Sequence, residues 1–129
     1  GPVAVPALIE VLKDKDSYVR LAAAGAFGGI GPAAKDAVPA LIEALKDKES
    51  SVRLSAIKAL GKVGPVAVPA LIEVLKDKDS SVRRRAVTAL GRIGPAAKDV
   101  VPALKAMSEK DPEPSVRKAA AEALKSIAK

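Results

Sequence analysis

The chain has 129 residues, 49% of them hydrophobic but only 2% aromatic, with a formal net charge of +7. Cys and His are both absent, which excludes thiol nucleophiles, disulfides, zinc sites of the Cys/His kind and imidazole acid–base catalysis. Charged residues of both signs are interspersed at 29% of the chain, a composition of folded rather than disordered protein.

The first predicted helix starts around Pro6, where a missing N–H costs nothing, and carries Val5, Leu8, Ile9 and Leu12 on one stripe. A polar turn from Lys13 to Asp16 follows. Ser17 is the expected N-cap of a second helix with Val19, Ala23, Ala26, Phe27 and Ile30 as its core positions. Gly31 followed by Pro32 ends it. The whole pattern then recurs. Val-Pro-Ala-Leu stands at Val5, Val38, Val68 and Val101, at offsets of 33, 30 and 33 residues, so a two-repeat unit of 63 is itself duplicated. Ser50, Ser80 and Pro114 or Ser115 open the later second helices, and Gly64 and Gly94 are the later stops. The reading is all-α: one repeat domain over 1–129, with four antiparallel helix pairs at about 1–30, 31–63, 64–93 and 94–129. Alanines at recurring positions, such as Ala23, Ala56, Ala86 and Ala120, let neighbouring helices approach toward the ~8 Å end of the packing range.

Segments 1–41 and 64–104 differ at only eight positions, which points to recent duplication or deliberate consensus construction. Five of these differences, Tyr18/Ser81, Leu21/Arg84, Ala22/Arg85, Gly25/Thr88 and Gly29/Arg92, form one stripe of the second helix. The other three exchange apolar for apolar. A variable stripe on an otherwise repeated framework is where partner specificity is expected. The candidate contact residues are Tyr18, Leu21, Ala22 and Gly25 in the first copy, Lys58 and Lys62 in the second, and Arg84, Arg85, Thr88 and Arg92 in the third. The fourth copy adds Lys118 and Lys125, and net charge rises from +2 over 1–63 to +5 over 64–129, so the stripe grades from apolar to basic. Solvation of a charged face explains such residues about as well as binding does.

The last copy has Lys105, Ser108 and Lys125 where the first has Ile9, Leu12 and Gly28, a polar face that reads as a C-terminal cap. The first copy shows no such change, so self-association or partner stacking is expected there through Val3, Val5, Tyr18 and Leu21. The longest uncharged run, Leu21 to Ala34, is too short and too rich in Gly to span a bilayer. With no leader pattern either, a cytoplasmic location is expected. Gly1-Pro2 has the form of a tag remnant, although the pair recurs as Gly64-Pro65.

Val-Pro-Ala-Leu-Ile-Glu, Lys-Asp-Lys-Asp-Ser, Val-Arg and Ala-x-x-Ala-[Leu/Phe]-Gly-x-Ile-Gly together resemble HEAT-like repeats over essentially the whole chain. The match is to the short variety found in phycobilisome lyases and in artificial consensus arrays. The resemblance implies a right-handed α-solenoid with second helices lining the concave side. It also implies an inter-repeat ladder of acidic turn residues, here Asp16, Glu49 and Asp79, with Arg20, Arg53, Arg83 and Arg117. Asp111-Pro112-Glu113-Pro114 departs from the turn pattern and leaves the last acidic partner open. Enzymes of the family use His-Glu iron motifs or aromatic clefts that this chain lacks; bilin lyases are excluded less firmly, since their function is partly carried by a partner subunit, and lyase activity is given little weight.

Gly29-Ile30-Gly31-Pro32-Ala33-Ala34 has the outline of a dinucleotide fingerprint, but it follows a helix instead of a strand. Asp14-Lys15-Asp16 starts like a calcium loop but has Val19 and Gly25 where Gly and Glu are required. The sequence therefore predicts no catalytic residues, metal or cofactor. It predicts a protein-binding scaffold whose partner is a protein or acidic peptide. Nucleic-acid binding through the basic half is the alternative, disfavoured by the missing stacking aromatics, and a consensus framework without a natural ligand is a third reading.

Overall fold

The computed structural model describes residues 4–128. Gly1, Pro2, Val3 and Lys129 lie outside the described residues, and with them the expectations placed on Gly1-Pro2 and Val3. Eight α-helices follow in order: α1 Ala4–Val11, α2 Ser17–Ile30, α3 Val38–Ala44, α4 Ser50–Val63, α5 Val68–Val74, α6 Ser80–Ile93, α7 Val101–Lys110 and α8 Pro114–Ile127. No strand occurs among the described residues. The chain divides into two compact units, Gly1–Ala67 and Val68–Lys129.

In the first unit α1 pairs with α2, α3 with α4, and the second helices α2 and α4 make the largest contact. Its core holds Phe27, Leu41, Leu45, Leu60 and Val52, all fully buried. The second unit repeats the plan: α6 packs along α8, over Leu71, Leu90, Leu104 and Val116. Phe27 thus occupies the slot that Leu90 fills in the second unit. Ala24 and Val87, one of the apolar exchanges between the copies, are also completely buried.

The C-terminal ends of α2, α4 and α6 are closed by backbone alone. α2, α4 and α6 end at Gly31, Gly64 and Gly94, whose φ values of 70°, 88° and 78° lie where a Cβ is strained. In each case the cap N–H donates to a carbonyl of the last turn, that of Phe27, Leu60 or Leu90. At the other ends the caps sit one residue earlier than the sequence suggests. Asp16 and Asp79, not Ser17 and Ser80, occupy the extended N-cap position, and their carboxylates accept from the backbone N–H of Tyr18 and Ser81 at 2.9 and 2.8 Å. Serine becomes the first helical residue. Glu49 and Glu113 hold the same position with no side-chain cap bond, as suits a residue type outside the preferred N-cap set.

These caps also correct the ladder. With Asp16 and Asp79 committed to helix N-termini, the acid is the aspartate two residues earlier in the turn. Arg20 donates from Nε and Nη2 to Asp47 at 2.8 and 3.1 Å, and Arg83 donates likewise to Asp111 at 3.0 Å for both bonds. Glu49 is not the partner of Arg20. The open question of the fourth copy closes on Asp111. Each arginine also clamps its own turn: Nη1 of Arg20, Arg53, Arg83 and Arg117 donates to the carbonyl of the aspartate six residues back, at 2.8, 2.8, 2.9 and 2.7 Å. The same aspartates, Asp14, Asp47, Asp77 and Asp111, accept from the backbone N–H two residues on at 2.9 to 3.0 Å. Burial pushes the Asp47 carboxyl up, but the bonds from Arg20 and the Glu49 backbone outweigh it and hold the group below its ordinary value. For Asp111 the bond from Arg83 is the largest influence, exceeds the effect of burial, and again lowers the pKa.

A further difference concerns Ala26, expected in the core but exposed. Its equivalents Ala59 and Ala123 are buried because they lie against Gly28 of α2 and Gly91 of α6. No helix precedes α1 and α2 among the described residues to cover Ala26. No single described helix is long and apolar enough to cross a membrane.

Candidate functional site: two grooves between second helices

Each unit carries a groove between its two second helices, and the grooves exist because the helices touch through residues with almost no side chain. In the first unit a Cβ on Gly28 would stand 3.6 Å from Ala59 Cα. In the second the approach is tighter, with 3.2 Å from a Gly91 Cβ to Ala123 Cβ. Small residues form the floor, and longer side chains of the flanking positions form the rims.

The first groove encloses about 350 Å³. Gly25, Gly28 and Gly29 leave the α2 wall bare, and Lys58 and Lys62 rise from α4 opposite it. The second encloses about 610 Å³ between α6 and α8. Arg84, Thr88 and Arg92 stand on one wall, with Lys118 and Glu122 on the other and Ser115 and Ser126 at the ends. Among the described residues, Arg84, Arg92, Lys118 and Glu122 make no ion pair, so their charges face the groove uncompensated by a direct partner. Thr88 Oγ1 donates to the Arg84 carbonyl at 3.0 Å. Its proton is therefore spent inside the helix, and the hydroxyl offers only lone pairs outward.

The predicted stripe is divided by the structure. Gly25, Lys58 and Lys62 come together in the first groove, and Arg84, Thr88 and Arg92 in the second. Tyr18, Leu21 and Ala22 do not line either groove: Tyr18 is 80% exposed, Ala22 exposed and Leu21 half-buried. Arg85 is half-buried and outside the groove lining, and it is not free of interactions. Glu122 is the residue that sequence reasoning missed. A comparison of the first and third copies could not reveal it; reading all four copies at that position would have shown Gly25, Lys58, Thr88 and Glu122. No group of three or more acidic, His or Cys side chains able to hold a metal occurs among the described residues.

A family model of HEAT repeats matches residues 5–68 and 65–125, and the chain belongs to the HEAT repeat family. Among solved structures it is similar to the complex of CpcE and CpcF of phycocyanin lyase from Nostoc sp. PCC7120, with 28% identity and a TM-score of 0.67, over 98% of this chain and 79% of that one. It is also similar to two engineered proteins. One shows 27% identity and a TM-score of 0.58 over 96% of this chain and 62% of that one. The other shows 30% identity and a TM-score of 0.56 over 96% and 37%. The chain thus spans less than two thirds of either engineered protein. No curated protein sequence matches it.

Proposed function

We propose that the chain is a non-enzymatic protein-binding scaffold that receives segments of a partner in the grooves between its second helices. One observation carries this reading: equivalent positions of a nearly identical framework bear two different surfaces, glycine with lysine in α2/α4 and arginine with threonine, lysine and glutamate in α6/α8. A framework held constant under a changing surface is what recognition requires. The relative from Nostoc, described as a complex of two chains, is consistent with such a use. Nucleic acid fits less well, because Glu122 places a negative charge in the more basic groove and no aromatic side chain lines either one.

Selection of a random peptide library on the wild type and on Arg84→Glu/Arg92→Glu tests the proposal. Peptides enriched on the first and lost on the second support it. A second reading, a consensus framework with no ligand of its own, draws on the engineered neighbours. A selection that returns nothing dependent on either groove favours that reading. Of the residues expected to self-associate, Val5 is buried and Leu21 half-buried; the exposed Tyr18, with Ala22 and Ala26 on the same helix, carries that part of the proposal. A molar mass by light scattering that stays monomeric at high concentration, and is unchanged in Tyr18→Lys, removes this part.

A further inference from the structure

The side chains of the α6/α8 groove are ordered along its length. Arg83 near the start of α6 meets Asp111 just before α8, and Gly91 near the end of α6 meets Ala123 near the end of α8, so the two helices run parallel. With Gly91 opposite Ala123, a rise of 1.5 Å per residue puts Lys118 between the levels of Arg84 and Thr88, and Glu122 between those of Thr88 and Arg92. Along the groove the order is therefore Arg84, Lys118, Thr88, Glu122 and Arg92 at steps of about 3 Å, which group into three zones. Arg84 and Lys118 form a cationic end. Thr88 and Glu122 form a middle that only accepts, since the threonine proton is bound to the Arg84 carbonyl. Arg92 forms a second cationic end.

Successive levels on α6 are four residues, or about 6 Å, apart. Same-face side chains of an extended peptide recur every two residues, about 6.6 Å. α6 and α8 are in contact beneath the floor at Gly91 and Ala123, so a ligand lies along the groove and does not pass between the helices. We infer that this groove binds an extended peptide of alternating charge, acidic-x-basic-x-acidic, its two carboxylates on Arg84 with Lys118 and on Arg92, and its central cation on Glu122 and Thr88. This deepens the scaffold reading and rests on it. A uniformly acidic peptide or a phosphate backbone meets Glu122 with like charge and is rejected there.

Fluorescence anisotropy at low salt tests the order of charges with three labelled peptides: one containing Glu-Ala-Lys-Ala-Glu, one containing Glu-Ala-Glu-Ala-Glu, and one with the same three charges four residues apart for a helical ligand. The wild type is expected to prefer the first over the second by about tenfold, one favourable charged contact in place of a repulsive one. Glu122→Lys should reverse that preference, and Arg84→Ala/Arg92→Ala should lose both peptides. All three side chains are exposed, so folding survives each change, and circular dichroism checks it. Equal or tighter binding of the all-acidic peptide, an unchanged order in Glu122→Lys, or preference for the helical spacing overturns the inference. So does the absence of binding by all three. If the library selection still yields groove-dependent peptides, only the charge order has failed; if it does not, the scaffold reading falls as well.

Discussion

The Arg83 guanidinium and the Asp111 carboxylate join two repeats through a fork of two 3.0 Å bonds, with side chains only 13% and 6% exposed. Arg20 and Asp47 repeat the arrangement in the first unit. Both aspartates are held below the ordinary carboxylate value of 3.8. A depressed folded pKa means that the stability from these pairs is fully present above the unfolded value. It is lost as pH falls from there through the folded pKa. Thermal melts are expected to be flat from neutrality to about pH 5 and to drop steeply below about pH 4. Asp47→Asn/Asp111→Asn should melt earlier at neutral pH and show a weaker acid dependence. An acid dependence equal to that of the wild type would place the responsible carboxylates elsewhere.

Gly91 and Gly28 occupy equivalent positions with unequal room. A methyl group on Gly28 meets Ala59 at ordinary contact distance, whereas on Gly91 it meets Ala123 Cα at 3.3 Å and Cβ at 3.2 Å. Replacing a helical Gly by Ala gains up to about 1 kcal/mol from propensity, and overpacking costs about 1–3 kcal/mol. Gly28→Ala should be neutral or stabilising, and Gly91→Ala less stable than it by about 1–2 kcal/mol in urea unfolding.

Asp79 caps α6 through Ser81 N–H at 2.8 Å, and Asp79→Ala should cost about 1 kcal/mol. Glu49 holds the same extended backbone, φ −97° and ψ 127°, without a cap bond. Glu49→Asp should therefore supply the missing acceptor and raise stability by about 0.5–1 kcal/mol. Chemical denaturation of the two variants measures both directions.

Phe27 is completely buried in the slot that Leu90 fills in the other unit. Phe27→Leu should be milder when combined with Ala24→Val, since Leu90 is buried on a helix that carries the bulkier Val87 one turn earlier. Phe27→Ala, which leaves a cavity in the core, should cost about 3–5 kcal/mol.

The helices were legible because each carries its own punctuation. Pro6 and its counterparts open them, apolar residues recur at helical spacing, and Gly31, Gly64 and Gly94 close all second helices but the last. The ladder acid was not, because Asp14 and Asp16 differ only in which way a turn points them. One sign was present: aspartate stands at 14, 47, 77 and 111 in all four copies, whereas the cap position alternates between Asp16, Glu49, Asp79 and Glu113. A fork to Arg20 or Arg83 needs the shorter side chain; the cap position tolerates either. The candidate residues reached both walls of the first groove, Gly25 on one and Lys58 with Lys62 on the other, and the α6 wall of the second. The variable stripe could not separate Arg84 from Arg85, neighbours in sequence that point to different surroundings, nor find Glu122 on the facing helix.

The clamp from each arginine to the carbonyl six residues behind it also bears on how the chain folds. Every turn is closed from within its own helix pair, and the forks from Arg20 to Asp47 and from Arg83 to Asp111 span only 27 and 28 residues. Contacts of such short range carry a small loop-closure cost and belong to the fast end of folding rates. Within each unit, a helix pair emerging from a ribosome needs no distant strand of chain before its turn can lock.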